Sequence, residues 1–152
     1  MLIESRPQTD PELAVLVTAQ QAELRMAGRS GDVTDETTYP TRDDARYLLG
    51  VLGGRAIACG AVRALDPATA EIKRMYVRPA FRGRGLARQL LVALEEMALG
   101  SGHTVLRVAS GSYLPAALRL YASCGYAEIP RHGEYADNPY RVCFEKRLAV
   151  RV

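Results

Sequence analysis

The sequence predicts one domain of mixed α+β class, and three observations support that prediction. The chain has 152 residues and 48% hydrophobic content, which suits a single domain with a single core. Segments rich in β-branched and aromatic residues alternate with segments whose apolar residues recur at helical spacing. Their predicted order is strand, helix, three-strand meander, helix, strand, helix and two strands, which is a mixed layer architecture. We therefore treat residues 1–152 as one domain.

The first third of the chain predicts a short strand, a helix and an irregular acidic segment. Residues 1–5 form the predicted strand. The capping box Thr9-x-x-Glu12 predicts a helix that begins there and runs to about Met26. Residues 28–44 are polar and acidic, which predicts a loop or a short second helix. This segment is either one lip of a binding site or a plain surface connector.

The rest of the chain predicts a meander followed by two helices and three more strands. Gly53-Gly54 has the composition of a two-residue hairpin turn, so the strands on either side are expected to pair antiparallel. The strands of the meander are predicted over residues 46–52, 55–65 and 71–77. The later elements are a helix from residue 86 to about 99, a strand over 104–109, a helix over 113–124, and strands over 126–129 and 140–148.

A basic, glycine-rich turn separates the meander from the next helix. Its sequence is Arg82-Gly83-Arg84-Gly85-Leu86-Ala87. Such a turn leaves the N–H groups of the helix N-terminus free, and the helix dipole favours a phosphate there. The chain has no Walker loop, and a Rossmann fingerprint would need a small residue where Arg88 stands. By itself the turn predicts an anion site, with a basic cap on a core helix as the alternative.

Two motifs resemble those of a known family. Arg82-x-x-Gly85-x-Ala87 resembles the R/Q-x-x-G-x-G/A pyrophosphate loop of the GNAT superfamily of N-acetyltransferases. The string ALRLYASCGY, from Ala117 to Tyr126, is similar to the A-x-x-L-Y-x-x-x-G-[FY] helix of the same superfamily. The resemblance covers about residues 71–126. It implies a GNAT-like acyltransferase fold with a central, mostly antiparallel, twisted sheet of about six to seven strands and helices on both faces. It also implies a splay between the 71–77 and 104–109 strands, where the pantetheine arm lies.

The resemblance implies acetyl-CoA as co-substrate and identifies residues that would bind it. Main-chain groups of Met75, Tyr76 and Val77 would hold the pantetheine arm and the thioester carbonyl. The pyrophosphate would lie on the turn formed by Arg82, Gly83, Arg84, Gly85, Leu86 and Ala87. Many members carry Asn or Gln seven residues before the helical tyrosine, but this chain has Leu114 there. Ser110 or Ser112 is the candidate to replace that amide.

The resemblance also implies a general acid and a general base. Tyr121 is the candidate acid that protonates the departing thiolate, and the alternative is a core tyrosine. Glu71, eleven residues before Arg82, is the candidate base, because several superfamily members carry a catalytic glutamate at this spacing. The two-residue period predicts that it shares a face with Lys73, Met75 and Val77.

The role of Glu71 has alternatives that the sequence leaves open. Glu71 and Lys73 could form a surface ion pair, which would contribute little to stability. His132 and Glu134 are weaker candidates for the base. Positioning of the substrates with a water chain would need no dedicated base at all.

The predicted function is transfer of an acetyl group from acetyl-CoA to a primary amine of a small molecule or peptide, directly within a ternary complex. The alternative is a non-catalytic acyl-CoA binding or sensing module on the same fold. Acidic residues in the two loops expected to flank the acceptor entrance favour a cationic amine. They are Asp32, Asp35, Glu36, Glu134 and Asp137.

Charge and composition argue against nucleic acid, membranes and metal ions as partners. The formal net charge of +3 is too small to indicate nucleic acid, and no apolar run is long enough to span a membrane. The three cysteines are widely separated and offer no metal-ligand spacing, so we expect no metal and a reducing, cytoplasmic setting. A monomer and a homodimer are both compatible with the sequence.

Overall fold

The computed structural model describes residues 1–28 and 44–149, which contain seven strands and three α-helices. The strands are β1 (Leu2–Arg6), β2 (Arg46–Leu52), β3 (Arg55–Ala64), β4 (Thr69–Val77), β5 (Val105–Gly111), β6 (Ala127–Ile129) and β7 (Arg141–Arg147). The helices are α1 (Pro11–Ala27), α2 (Leu86–Gly100) and α3 (Pro115–Ser123). The α+β class and the predicted order of elements are confirmed. The prediction for residues 29–43 lies outside the described residues.

All seven strands form one sheet in the order β1-β2-β3-β4-β5-β7-β6. Every neighbouring pair is antiparallel except β4 and β5, which run parallel. The predicted hairpin turn joins β2 to β3, with φ of 59° at Gly53 and 75° at Gly54. Glycine adopts positive φ readily, and positive φ at both central residues is typical of the two-residue hairpin turns whose twist matches that of the flanking strands. The mostly antiparallel sheet is as expected.

The sheet opens between its two parallel strands. β4 and β5 are in register only from Thr69 opposite Val105 to Ile72 opposite Val108. β4 then continues to Val77 and β5 to Gly111, where β5 stays paired with β7 on its other edge. The predicted splay between these strands is therefore present, and in the part of the chain that the structure describes it leaves the edge of β4 beyond Ile72 without a strand partner.

A bulge in β4 lies where the opening begins. Cys59 of β3 is opposite Tyr76, but Ala61 is opposite Lys73, so two residues of β4 face a single residue of β3. One of those two residues, Arg74, has a φ of 57°. A bulge of this kind bends its strand and disturbs the alternation of side chains between the faces.

The bulge overturns one expectation about faces. Met75 and Val77 pack against the core cluster on the α2 side of the sheet, which also contains Ile72. Glu71, next to Ile72 in the strand, therefore points to the opposite side, as does Lys73, whose Nζ lies 3.7 Å from Glu71 Oε1. The expectation that all four residues share a face was wrong, because one extra residue shifts everything beyond it to the other face.

Helices cover both faces of the sheet, as predicted. Leu13, Leu16 and Val17 of α1 join a core cluster on one face. On the other face α2 contributes Leu90, Leu94 and their apolar neighbours, and α3 contributes Tyr121 to the same cluster. A Cβ added to Gly60 of β3 would lie 2.8 Å from Leu94 Cδ1, so a larger residue there would force this methyl group of α2 to move. No helix in the described ranges is long and apolar enough to cross a membrane.

The start of α1 differs from the prediction by one residue. The N-cap is Asp10 and not Thr9, because the Asp10 carboxylate accepts the backbone N–H of Glu12 at 2.8 Å. A carboxylate is at least as good an N-cap acceptor as a threonine hydroxyl. The same carboxylate lies 2.9 Å from an Arg6 nitrogen, so it also ties the helix to the end of β1.

Candidate active site

A cleft occupies the opening between β4 and β5. Its walls come from α1, β4, β5, α3 and the segment between β6 and β7. The predicted acid Tyr121 and the predicted pantetheine-binding residue Met75 both line it. The topology thus brings two motifs together that are 46 residues apart in the sequence.

The glycine turn adjoins the end of β4 and has the backbone expected of an anion site. Gly83 and Gly85 have φ of 79° and 74°, and Gly85 is the N-cap of α2. Gln89 is the first residue whose amide bonds to the start of the helix, donating to Gly85 O at 3.2 Å. The backbone amides of residues 83–88 have no acceptor within the described ranges. They are the donors that a phosphate group would bind.

The arginine side chains hold this turn in place. The guanidinium of Arg82 donates to Val77 O at 2.9 Å and makes two bonds of 2.8 Å to the Glu23 carboxylate of α1. The two hydrogen bonds from Arg82 to the Glu23 carboxylate lower the pKa of Glu23. Arg88 donates to Ser123 Oγ of α3 at 2.8 Å. The turn therefore offers a ligand its backbone, while the Arg82 side chain is already engaged with α1.

The predicted pantetheine strand has an open edge, but one of its carbonyls is engaged. Beyond Ile72 the edge of β4 facing β5 has no strand partner among residues 1–28 and 44–149, as the prediction requires. The carbonyl of Met75 accepts a bond of 2.8 Å from Gln20 Nε2 of α1. The ring of Tyr76 packs with α1 on the opposite side of the sheet from the side chain of Val77. The sequence carries no motif around Gln20 that would have predicted this contact.

Tyr121 is a buried phenol at the wall of the cleft. Its side chain is only 5% exposed and is wedged between the rings of Tyr126 and Phe144, at centroid distances of 5.8 and 5.9 Å. Burial, with a smaller contribution from Cys124, raises its pKa, so the hydroxyl keeps its proton. No acceptor for that hydroxyl is present in the part of the chain that the structure describes. The ring is held by packing, and the hydroxyl can donate to a ligand.

Glu71 is buried within a group of charged residues. Its carboxylate oxygen Oε1 accepts a bond of 3.2 Å from the Tyr135 hydroxyl and lies 3.6 Å from Arg63 and 3.7 Å from Lys73. Burial raises the pKa of Glu71, against the opposing effects of Lys73, Arg63 and Tyr135. The ion pair with Lys73 exists, but it is not the surface pair considered as an alternative, because the Glu71 side chain is 3% exposed.

The candidate base reaches the cleft through its neighbours. Glu71 is not among the described residues that line the cleft, whereas Lys73, Glu134 and Tyr135 are. Glu134 lies 3.5 Å from Lys73. Although burial alone would raise the pKa of Glu134, its bond with Tyr135 and the nearby cations lower it overall. His132, the other weaker candidate, packs edge-to-face on the Tyr135 ring and does not line the cleft within the described ranges.

Of the serines and acidic loop residues predicted near the site, only some line the described part of the cleft. Ser110 is buried and lines the cleft next to Leu114, the residue that replaces the usual amide. Ser112 is exposed, and its backbone N–H donates to Tyr140 O at 2.7 Å. Asp137 is exposed and does not line the described part of the cleft. Asp32, Asp35 and Glu36 lie outside the described residues.

The sequence missed several charged residues of the cleft. Arg74 and Arg141 line it, and Arg63 lies behind the wall next to Glu71. Arg74 belongs to the strand predicted over residues 71–77, but no motif gave it a role. The other two had no motif around them, and long-range pairing of strands brings them here. Within residues 1–28 and 44–149, no cluster of His, Cys, Asp and Glu could hold a metal ion.

Comparisons with known proteins agree with this architecture. The chain matches the model of the Acetyltransferase (GNAT) family over residues 15–126. It is 33% identical over 109 residues to the IAA acetyltransferase of Azospirillum brasilense, which covers 70% of this chain and 71% of that protein. A crystal structure from Klebsiella pneumoniae subsp. pneumoniae MGH 78578, assigned as an acyl-CoA N-acyltransferase, has a TM-score of 0.82 at 30% identity and 97% coverage of both chains.

A second solved structure has the same fold at lower identity. It is a GNAT family acetyltransferase from Elizabethkingia anophelis with acetyl-CoA bound, with a TM-score of 0.75, 19% identity and 97% coverage of both chains. The open sheet, the glycine turn and Tyr121 in the cleft define an acyltransferase of the GNAT fold. The match to the family model over most of the chain establishes that this protein belongs to the GNAT acetyltransferase family. The resemblance found in the sequence is confirmed.

Proposed function

We propose that this protein transfers the acetyl group of acetyl-CoA to a primary amine of a small molecule or peptide, directly within a ternary complex. The observation that carries the proposal is the cleft itself, which has Tyr121 in its wall and the glycine turn at the end of one flanking strand. Acetyl-CoA bound to the Elizabethkingia anophelis protein, which shares the fold, supports the choice of coenzyme. Relatives named as acetyltransferases favour an enzyme over a binding module without activity.

The residues of the turn and of β4 suit the coenzyme. The amides of residues 83–88 would hold the pyrophosphate, and positive φ at Gly83 and Gly85 aligns them without strain. The open edge of β4 up to Val77 would bind the pantetheine arm through main-chain groups. The cleft supplies no amide side chain at Leu114, so Ser110 is the better placed substitute, and Ser112 lies outside the described lining.

Two protons must move during the reaction. The acceptor nitrogen bonds to the acetyl carbon as the carbon–sulfur bond breaks, and the nitrogen loses a proton while the sulfur gains one. We assign the first proton to Glu71, through Tyr135 or a water molecule, because its raised pKa suits a base that works near neutral pH. We assign the second to Tyr121, because its hydroxyl is protonated and lines the cleft.

The first test is binding of acetyl-CoA followed by turnover. A ligand at one hundred times its dissociation constant stabilises the folded state by about 2.7 kcal/mol. For a domain of this size the melting temperature should then rise by roughly 5–10 °C. Release of free thiol should follow with at least one member of a panel of primary amines. Absence of any shift with acetyl-CoA would contradict the proposal, and a shift without thiol release would favour the binding module.

A further inference from the structure

A cluster of polar side chains outside the cleft connects α2 to β7 and to the residue just before β6. The hydroxyl of Tyr126 donates to Glu95 Oε2 of α2 at 2.7 Å, and Lys146 Nζ of β7 lies 3.1 Å from the same oxygen. Tyr126 is 4% exposed and the Glu95 side chain is 13% exposed, so water competes little for these bonds. None of the three residues is part of the described lining of the cleft.

This cluster holds the ring of Tyr126 at two places. Its hydroxyl bonds to a carboxylate, and a hydrogen bond of this charge-assisted kind is stronger than one between neutral groups. Burial, together with the bond to Glu95, raises the pKa of Tyr126, so the hydroxyl keeps the proton that it donates. The Lys146 ammonium lies 5.5 Å from the centre of the ring, which is within the range of a cation–π interaction. The Tyr126 ring therefore has a fixed position and orientation.

Tyr126 in turn contacts Tyr121, the candidate general acid. The two rings meet edge-to-face with their centroids 5.8 Å apart, and the backbone N–H of Tyr126 donates to Tyr121 O at 3.0 Å. Phe144, the other ring against Tyr121, has no polar atom in its side chain and is held by packing alone. Directional bonds therefore reach the ring of Tyr121 through Tyr126.

The helix that carries Glu95 also begins at the turn that suits the coenzyme pyrophosphate. Gly85 of that turn is the N-cap of α2, and Glu95 lies nine residues after Leu86, roughly 14 Å along the helix axis. One rigid element thus extends from the expected pyrophosphate site to the residue that anchors the Tyr126 ring. Such a link matters, because misplacing a reacting group by about 1 Å can lower the rate by about 100-fold.

We propose that Glu95 and Tyr126 are positioning residues that hold the Tyr121 hydroxyl in place for proton transfer to the departing sulfur. The inference rests on the proposed acetyl transfer and adds two residues to its machinery. Both act through the ring of Tyr121 and are expected to touch neither substrate. Lys146 supports them, because it provides the cation that a largely buried carboxylate at Glu95 needs.

The first experiment measures steady-state kinetics in three variants of the anchor. Tyr126→Phe removes only the hydroxyl, Glu95→Leu removes the acceptor, and Glu95→Gln keeps an oxygen that can accept the bond. We expect kcat to fall by about 5–20-fold in Tyr126→Phe and in Glu95→Leu, because the acid is misplaced. Glu95→Gln should restore kcat to within about threefold of wild type, and KM for acetyl-CoA should stay within about twofold in all three.

A matched control removes a hydroxyl from another buried tyrosine. Tyr47 belongs to the core cluster on the opposite face of the sheet and is not among the described cleft residues. Tyr47→Phe should therefore leave kcat within about twofold of wild type, even where it lowers the melting temperature. An equal loss of kcat in Tyr47→Phe and Tyr126→Phe would overturn the inference, because the effect would then be one of general stability.

A double variant tests whether Tyr126 acts through Tyr121. In the Tyr121→Phe background the hydroxyl to be positioned is absent, so adding Tyr126→Phe should lower kcat no further. If the two losses add instead, Tyr126 supports the activity by a route that does not involve the acid, and the inference is wrong.

A measurement without turnover separates this inference from the proposed function. In the NMR spectrum of protein with isotope-labelled tyrosine, the Tyr121 signals are those missing from Tyr121→Phe. The Tyr121 ring should flip faster in Tyr126→Phe and Glu95→Leu than in wild type, Glu95→Gln or Tyr47→Phe. Unchanged flipping in the first two variants, or faster flipping with unchanged kcat, would contradict the inference. Failure of wild-type protein to bind or use acetyl-CoA would contradict the proposed function, while ring flipping would still show whether the anchor holds Tyr121.

Discussion

At the scale of single residues, Tyr121 is the sharpest test of the chemistry. Its hydroxyl has no acceptor within the described ranges, so Tyr121→Phe removes one oxygen and leaves the packing against Tyr126 and Phe144 in place. Loss of a general acid typically costs 10²–10⁴ in rate, and we expect kcat to fall by about that factor. The melting temperature and its rise with acetyl-CoA should change little. An unchanged kcat would assign Tyr121 to the core alone.

Glu71 predicts the pH dependence of the reaction. Only the carboxylate can accept a proton, and burial raises the pKa of this group above its ordinary value of 4.5. Activity should therefore be full above the raised pKa and should fall as the pH is lowered through it. Glu71→Gln should reduce kcat/KM at neutral pH and remove this acidic limb from the profile of whatever activity is left.

Glu134 provides the matched comparison for that experiment. It shares the neighbours Lys73 and Tyr135 with Glu71, but its pKa is lowered, so it is ionised throughout the same range. Glu134→Gln should therefore keep the acidic limb in kcat/KM. Retention of the limb in Glu71→Gln together with its loss in Glu134→Gln would transfer the role of base to Glu134.

At the scale of elements, the glycine turn can be tested against a second glycine of the same geometry. Gly85 and Gly102 have φ of 74° and 93°, and an added Cβ would meet nothing within 4 Å at either position. Alanine should therefore strain both sites alike, by about 1–2 kcal/mol. Gly85 begins α2 in the turn, whereas Gly102 follows the end of that helix. We expect similar losses of stability by denaturant unfolding, but weaker acetyl-CoA binding by calorimetry only in Gly85→Ala. Equal binding in both variants would contradict the role of the turn.

The elements also show what the sequence could and could not predict. Glycine pairs, apolar periodicity and β-branched runs are local signals, and they placed the hairpin, the glycine turn and all three helices. The bulge at Arg74 carries no local signal, because arginine has no special preference for a left-handed conformation. Its presence reversed the face expected for Met75 and Val77 relative to Glu71.

The neighbours of Glu71 could not be predicted for a related reason. Tyr135 lies 64 residues away in the sequence and reaches Glu71 only because β7 pairs with β5, beside β4. Arg63 meets Glu71 across the β3–β4 ladder, in a register that the bulge helps to set. Spacing along the chain identified the two catalytic candidates, whereas their electrostatic surroundings depend on contacts between distant strands.

At the scale of the whole molecule, α2 must pack closely against β3 of the sheet at the point where the cleft begins. Gly60 lies opposite the bulge of β4, and a Cβ added to it would be 2.8 Å from Leu94 Cδ1 of α2. Gly60→Ala alone should therefore overpack this contact and cost about 1–3 kcal/mol. Leu94 is fully buried, so Leu94→Ala should lower the free energy of unfolding by about 2–5 kcal/mol.

The double variant Gly60→Ala/Leu94→Ala should be more stable than the sum of the single losses predicts. The added methyl group occupies part of the space that the leucine side chain vacates, so a favourable interaction energy of about 0.5–3 kcal/mol is expected between the two sites. Denaturant unfolding of all four proteins gives this energy directly. A control cycle pairs Gly60→Ala with Leu16→Ala, which is equally buried but belongs to the cluster on the opposite face, and it should be additive. Additivity in both cycles would mean that α2 does not need the glycine of β3 to approach the sheet.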